Sequence, residues 1–186
     1  MKKILILSWI VLLSIPAFSQ IESRRRPFGI TIGFSMKNVE WEDIDYWTGA
    51  VTHYKTDLFN YGYGNTLVSQ LGFTIVPEFK SGVGIQTGLH FEFAMGYSSI
   101  FLGLQLPVRL QYRYEFPAGV SLLAFTGPNL YFGMYDDGGD LGNYWSFGAG
   151  VQYKGLQARV HTDMTVWQFG ELRIRSPFTF SLSYLF

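Results

Sequence analysis

In "ARVHTDM" His161 and Asp163 stand two residues apart, so an extended backbone puts both on one face. An imidazole beside a carboxylate is the orienting half of a nucleophilic site if a hydroxyl lies within reach. A tight turn at Lys154-Gly155 would bring Ser146 across from Asp163 and supply that hydroxyl. Asp136, Asp137 and Asp140 of "YDDGGDLGN" offer oxygen ligands to calcium, although Asp-Gly clusters also simply make turns. His53, Ser98 and Ser99 have no recognisable partner at a useful spacing. The remaining charged or imidazole groups that stand on the polar phase of an alternating pattern are Lys37, Glu78, His90, Glu92, Arg109, Arg113, Glu115 and Arg159. What any of these can do depends on which medium their side of the chain meets.

The clearest element is "LGLQLPVRLQYRYEF", residues 102 to 116. Every second residue from Leu102 is apolar, ending in Tyr112, Tyr114 and Phe116, and the intervening set is Gly103, Gln105, Pro107, Arg109, Gln111, Arg113 and Glu115. That is a strand with one greasy and one polar face. The same sense recurs at Phe28, Ile30, Ile32, Phe34 and Met36, at Val83, Ile85, Leu89, Phe91 and Phe93, and at Phe178, Phe180, Leu182, Tyr184 and Phe186. The polar set cannot build a soluble core, and the chain supplies no second apolar layer to cover the greasy set. The apolar face is therefore expected to meet lipid.

Eight strands are expected, at 28–38, 66–79, 83–95, 100–116, 119–134, 143–154, 156–169 and 176–186. Most reach the ~9 to 11 residues that a tilted strand needs to cross a bilayer. Turns at Lys80-Ser81-Gly82, Pro117-Ala118-Gly119 and Lys154-Gly155 alternate with longer connections, the outer-membrane pattern of short periplasmic turns and longer outer loops. Aromatics on the lipid phase, Phe28, Phe79, Tyr114, Phe116, Tyr153, Tyr184 and Phe186, fall at the short-turn end, as an interfacial girdle should. The expected fold is all-β, an eight-stranded antiparallel up-and-down transmembrane barrel with both termini periplasmic. Two places resist the pattern. Leu123 and Phe125 fall on the polar phase with Pro128 on the other, which suggests a bulge or phase error. Pro107 cannot donate to a ladder, so a bulge or a missing bond is expected there.

The opening "MKKILILSWIVLLSIPAFSQ" has two lysines, a short apolar run, Pro16 and the small-residue pattern Ala17-Phe18-Ser19, the signature of a secretory signal peptide over residues 1–19. A periplasmic segment at 20–27, carrying Arg24, Arg25 and Arg26, would lead into the barrel at 28–186. The 186 residues hold no cysteine, which excludes disulfides, thiolate metal sites and a lipoprotein anchor. Fourteen Lys and Arg balance fourteen Asp and Glu, which gives no electrostatic case for nucleic acid.

The tight turns also fix register. Pairing Phe79 with Val83 sets Gly72 opposite His90 and Gln70 opposite Glu92; pairing Tyr153 with Leu156 sets Gly150 opposite Arg159, Gly148 opposite His161 and Ser146 opposite Asp163. Pairing Phe116 with Val120 sets Arg109 opposite Gly127. Large polar groups facing glycine suit the narrow interior of an eight-stranded barrel, which side chains just fill. Two readings fit such a lumen, a proton or ion path and a salt-bridged plug. Lys37, Arg109, Arg113 and Arg159 balance Glu78, Glu92, Glu115 and Asp163 there, so ion pairs are expected.

Four stretches, "LQLPVRLQYRY", "FTGPNLYFG", "FGAGVQYKGLQARV" and the closing "FSLSYLF", together resemble the PorT-like outer-membrane β-barrel family found in the Bacteroidota. The resemblance spans the chain from about Phe28 onward and implies an eight-stranded outer-membrane barrel; the family's named member is a secretion and gliding accessory, and no catalytic residues carry over. The expected role is structural, surface-binding or complex-accessory, with outer-membrane lipids and an outer-membrane or periplasmic protein as partners. No enzymatic activity, cofactor or metal is expected. A lipid-modifying enzyme centred on His161 and Asp163, or a narrow channel, is the alternative. The long first connection, with Trp41, Tyr46, Trp47 and Tyr54, is the candidate surface-binding loop because exposed aromatics commonly anchor recognition.

Overall fold

The computed structural model describes residues 27–44, 47–48, 50–56, 66–79, 82–95, 100–135, 138–169 and 172–186. They form β1 (Phe28–Ile44), β2 (Val51–Thr56), β3 (Thr66–Ile75), β4 (Val83–Met95), β5 (Ile100–Glu115), β6 (Val120–Tyr135), β7 (Gly138–Tyr153), β8 (Leu156–Phe169) and β9 (Leu172–Leu185). Every pairing is antiparallel between neighbours in sequence, except that β1 pairs with β3 and closes on β9. Eight of the nine strands thus form a closed up-and-down barrel. The ninth, β2, pairs with the far half of β1 alone, from Val39↔Thr56 to Ile44↔Val51. It lay unrecognised in the long first connection.

The alternation is realised inside out relative to a soluble protein. On β5, Leu102, Leu106, Leu110, Tyr112 and Tyr114 are exposed, whereas Gln105, Arg109 and Gln111 are at most 2% exposed. The apolar set therefore covers the outer wall and the polar set fills the lumen. At the short-turn rim Phe28, Tyr114, Phe116, Tyr153, Tyr184 and Phe186 are exposed and Phe79 is half-buried. A hydrogen bond from the Phe186 N–H to the Phe28 carbonyl and the pairing of Leu156 with Tyr184 tie neighbouring strands together at this rim.

The expected registers hold: Gly72↔His90, Gln70↔Glu92, Gly150↔Arg159, Gly148↔His161 and Ser146↔Asp163 are all cross-strand partners, and Glu78 bridges Gly84. Proline breaks bonds without shifting the frame. The β4–β5 ladder skips Gly88 and Leu89, opposite Pro107 and Leu106, and resumes in the same register. The β5–β6 ladder skips Val108 and Arg109 opposite Pro128 and Gly127 in the same way. Of the two options at Pro107, the missing bond is the one realised.

The bulge or phase error expected in 119–134 is absent: β6 pairs with β7 without a shift, and Leu123 and Phe125 are buried in the lumen. They are lumen residues because Gly148 and Gly150 opposite them leave room for a large side chain. Register shifts occur elsewhere. β9 gains a residue opposite Met36–Asn38, next to Pro177, whose ring nitrogen has no hydrogen to donate. β8 gains one at Val166, between the partners of Asn143 and Tyr144. Strand β7 also begins at Gly138 and β9 at Leu172, earlier than expected. The proposed signal peptide and the segment carrying Arg24 to Arg26 lie outside the described residues.

Candidate functional site: the polar lumen

Three layers of side chains fill the interior. Near the short-turn end, Arg113 on β5 pairs with Glu78 at 2.8 Å, and Gln111 donates to Glu78 at 3.4 Å. Arg113 also lies 3.8 Å from Glu115. Glu115, expected in the lumen, is instead half-exposed at the rim, because its strand ends there and the barrel wall no longer covers it. Gln157 donates to Gln152 at 2.8 Å across the β7–β8 hairpin. An open cavity of about 610 Å³ occupies this mouth, lined among others by Glu78, Arg113, Gln152 and Lys154.

The middle layer holds His90, Arg109, Arg159, His161 and Asp163. Arg109 reaches from β5 across to β8 and places a terminal nitrogen 3.0 Å from Nε2 of His161. A guanidinium can only donate, so Nε2 accepts and the imidazole is neutral. The guanidinium also stacks over Phe125 at 5.4 Å, which accounts for an aromatic ring on the polar phase. Arg159 donates to Ser183 at 2.8 Å, Ser183 meets Thr31 at 2.8 Å, and the chain continues through Thr74 to Nε2 of His90 at 3.1 Å.

In the upper layer Glu92 collects Lys37 at 2.9 Å, Ser35 at 2.9 Å and Gln105 at 2.6 Å. Lys37 also donates to Ser176 and lies over the Tyr131 ring at 4.5 Å. Asn129 donates to Gln105 at 3.2 Å. Tyr131 packs edge-on against Tyr144, whose hydroxyl donates to Asp140 at 2.9 Å. Val68, Ala94 and Phe101 are buried at this end.

The Ser146, His161 and Asp163 constellation is assembled, but not as a nucleophilic site. Ser146 donates straight to Asp163 at 2.5 Å, while Nε2 of His161 is 3.8 Å from that carboxylate and already accepts from Arg109. No imidazole nitrogen is aimed at the hydroxyl, and Ser146 is fully buried in the barrel. Asp136 and Asp137 lie outside the described residues; Asp140, expected in an Asp-Gly turn or calcium site, is a buried strand residue opposite Gly133. Among the described residues no three acidic or imidazole groups are gathered for a metal. Asp140, Tyr131 and Tyr144 were missed as lumen groups; the alternation of "NLYFG" already put Tyr131 in phase with Asn129 and Gly133. Of the candidate loop, Trp41 and Tyr54 are cross-strand partners in β1 and β2, Trp47 at the hairpin tip is 97% exposed, and Tyr46 lies outside the described residues.

Closed all-antiparallel strands, an apolar outer wall and a polar, side-chain-filled lumen define a transmembrane-type β-barrel of eight strands. The chain is similar in structure to neisserial surface protein A, with a TM-score of 0.49 and 10% identity over 86% of this chain and 97% of that one. It is also similar to Ail, the attachment invasion locus protein of Yersinia pestis, at 0.45 and 13% identity over 88% and 100%. The β domain of the Bordetella autotransporter BrkA gives 0.43 and 11% identity over 87% and 68%. No family model and no curated protein sequence matches.

Proposed function

We propose that the protein is a non-enzymatic outer-membrane β-barrel whose lumen is a plug and whose working surface is the end carrying the β1–β2 hairpin. The observation that carries this reading is the inversion of polarity, with an apolar wall such as Leu102, Leu106 and Leu110 outside and Arg109 and Gln111 buried inside. Exposed apolar surface of that extent needs lipid around it. The apolar run before Pro16 supports export through a signal peptide cut before Gln20, and the short turns beside the chain ends support periplasmic termini.

Recognition is assigned to the hairpin because β1 and β2 hold Trp47 out at its tip, 97% exposed. A large exposed aromatic is the kind of side chain that anchors recognition. The partner class is an outer-membrane or surface protein, and the PorT-like resemblance of "LQLPVRLQYRY" makes a secretion assembly the first place to look. The reading is tested in two stages. Purified protein in detergent is expected to give a strand-dominated circular dichroism spectrum and heat-modifiable gel migration; a helix-rich spectrum ends it. Mild-detergent affinity purification from native outer membranes is then expected to recover a stoichiometric protein partner that Trp47→Ala loses. Refolded protein is expected to turn over no phospholipid, and robust hydrolysis would restore the enzyme alternative.

A further inference from the structure

The lumen carries equal numbers of buried cations and carboxylates, but they are not distributed evenly. Lys37, Arg109, Arg113 and Arg159 face Glu78, Glu92, Asp140 and Asp163, Asp140 at the far end making up the number that Glu115 at the rim leaves. The lower layer is matched by Arg113 with Glu78. The upper layer has two carboxylates, both engaged: Glu92 takes three donors, and Asp140 accepts from Tyr144. The middle layer has two guanidiniums and one carboxylate, Asp163, which Ser146 already occupies on one oxygen.

Neither guanidinium of that layer forms an ion pair among the described residues. Arg109 is 2% exposed, and its one polar contact is with neutral His161; Arg159 is equally buried and meets only a serine hydroxyl. The Nε groups of both, together with Nδ1 of His161, have no protein partner. Since Nε2 of His161 accepts, Nδ1 carries the proton and is a third unmatched donor. The three are close together. Arg109 touches His161, and His161 is the next inward residue after Arg159 on β8, ~7 Å further along the strand. A net positive layer with unmatched N–H donors, deep in a low-dielectric interior, is costly unless something of opposite sign joins it.

We propose that the middle of the lumen is a binding site for one small monovalent anion of halide size, held by Arg109 and Arg159 with the Nδ1 hydrogen of His161. The excess of one positive charge sets the valence. The narrow interior of an eight-stranded barrel, lined here by Gly148 and Gly150, where Phe125 and Arg159 leave no room even for a β-carbon, sets the size and disfavours phosphate or sulfate. The mouth lined by Arg113 and Gln152 gives the entry side, since Gln157, partner of Gln152, is two residues below Arg159. The anion completes the plug and is held, not conducted.

The probe is bromide. Crystals of the full barrel grown in sodium bromide are expected to show an anomalous peak within hydrogen-bonding reach of both guanidiniums. In detergent, urea unfolding is expected to shift about tenfold toward the folded state at bromide near ten times its dissociation constant, relative to gluconate at equal ionic strength. Arg159→Gln is expected to abolish that difference. A bromide effect that survives Arg159→Gln is a general salt effect and overturns the proposal, as does a peak without any stabilisation, or neither peak nor stabilisation. Should Arg159→Gln not fold, the anomalous map and the wild-type bromide titration decide, and both must be positive.

Discussion

Leu106 and Arg109 lie three residues apart on one strand and meet opposite media, one 41% and the other 2% exposed. Substituting Leu106 by Arg is expected to destabilise the barrel by roughly 2–4 kcal/mol in a bilayer, since that side chain sits in mid-strand on the lipid face. Urea unfolding in vesicles followed by tryptophan fluorescence measures it; a change below a few tenths would mean the face does not meet lipid. Inside, the cost of removing a charge depends on what it leaves behind. Lys37→Met strips Glu92 of its cation while the carboxylate stays buried, and about 3–5 kcal/mol is expected to be lost. Pairing it with Glu92→Gln is expected to recover much of that loss, because a neutral amide still receives Ser35. Additive single and double effects would show that the ion pair is not coupled. The sequence showed these residues to share the lumen, because alternation fixes the phase. Which partner each takes was not legible, since Lys37 on β1 finds Glu92 on β4 and Ser176 on β9 only once the barrel has closed.

Strands and tight turns were legible because both rest on local rules, period two and short turn residues, and each register followed from its turn. β2 was not, because "VTHYKT" shows no alternation of apolar and polar residues that would mark one face as lipid-facing. The extra residues in β8 and β9 were equally hidden, the latter because it arises where the last strand must meet the first. Leu123 and Phe125 looked like a phase error only while the lumen was assumed to be uniformly polar; the guanidinium of Arg109 needs the Phe125 ring, and glycine opposite gives it space. That space makes a prediction. A β-carbon at Gly148 would overlap the Phe125 ring and lie 2.6 Å from the Val160 carbonyl oxygen, which is ladder backbone and cannot yield. Gly148→Val is therefore expected to block barrel closure, read as loss of heat-modifiable migration. Gly119 has a positive φ of 75° at a turn with open space around it, so Gly119→Ala is expected to cost only ~1–2 kcal/mol of backbone strain and still fold.

At the scale of the whole molecule, the barrel must choose between conducting and filling. Eight strands leave an interior about as wide as the side chains that enter it. Here the large ones reach over the interior from different strands: Arg109 of β5 reaches His161 of β8, Lys37 of β1 reaches Glu92 of β4, and Tyr131 of β6 packs on Tyr144 of its neighbour β7 above them. Val68, Ala94 and Phe101, buried at the same end, add an apolar step that a hydrated ion would have to cross. An open cavity lies at the opposite mouth, around Arg113 and Gln152. The purified protein is therefore expected to give no steady conductance in planar bilayers at either polarity, and truncating the closing layer by Phe101→Ala with Tyr131→Ala is expected to create measurable steps where the wild type has none. Stable, ion-selective steps from the wild-type protein, altered in selectivity by Arg109→Gln without loss of folding, would show that the lumen charges line a pore and that the plug is not the working state.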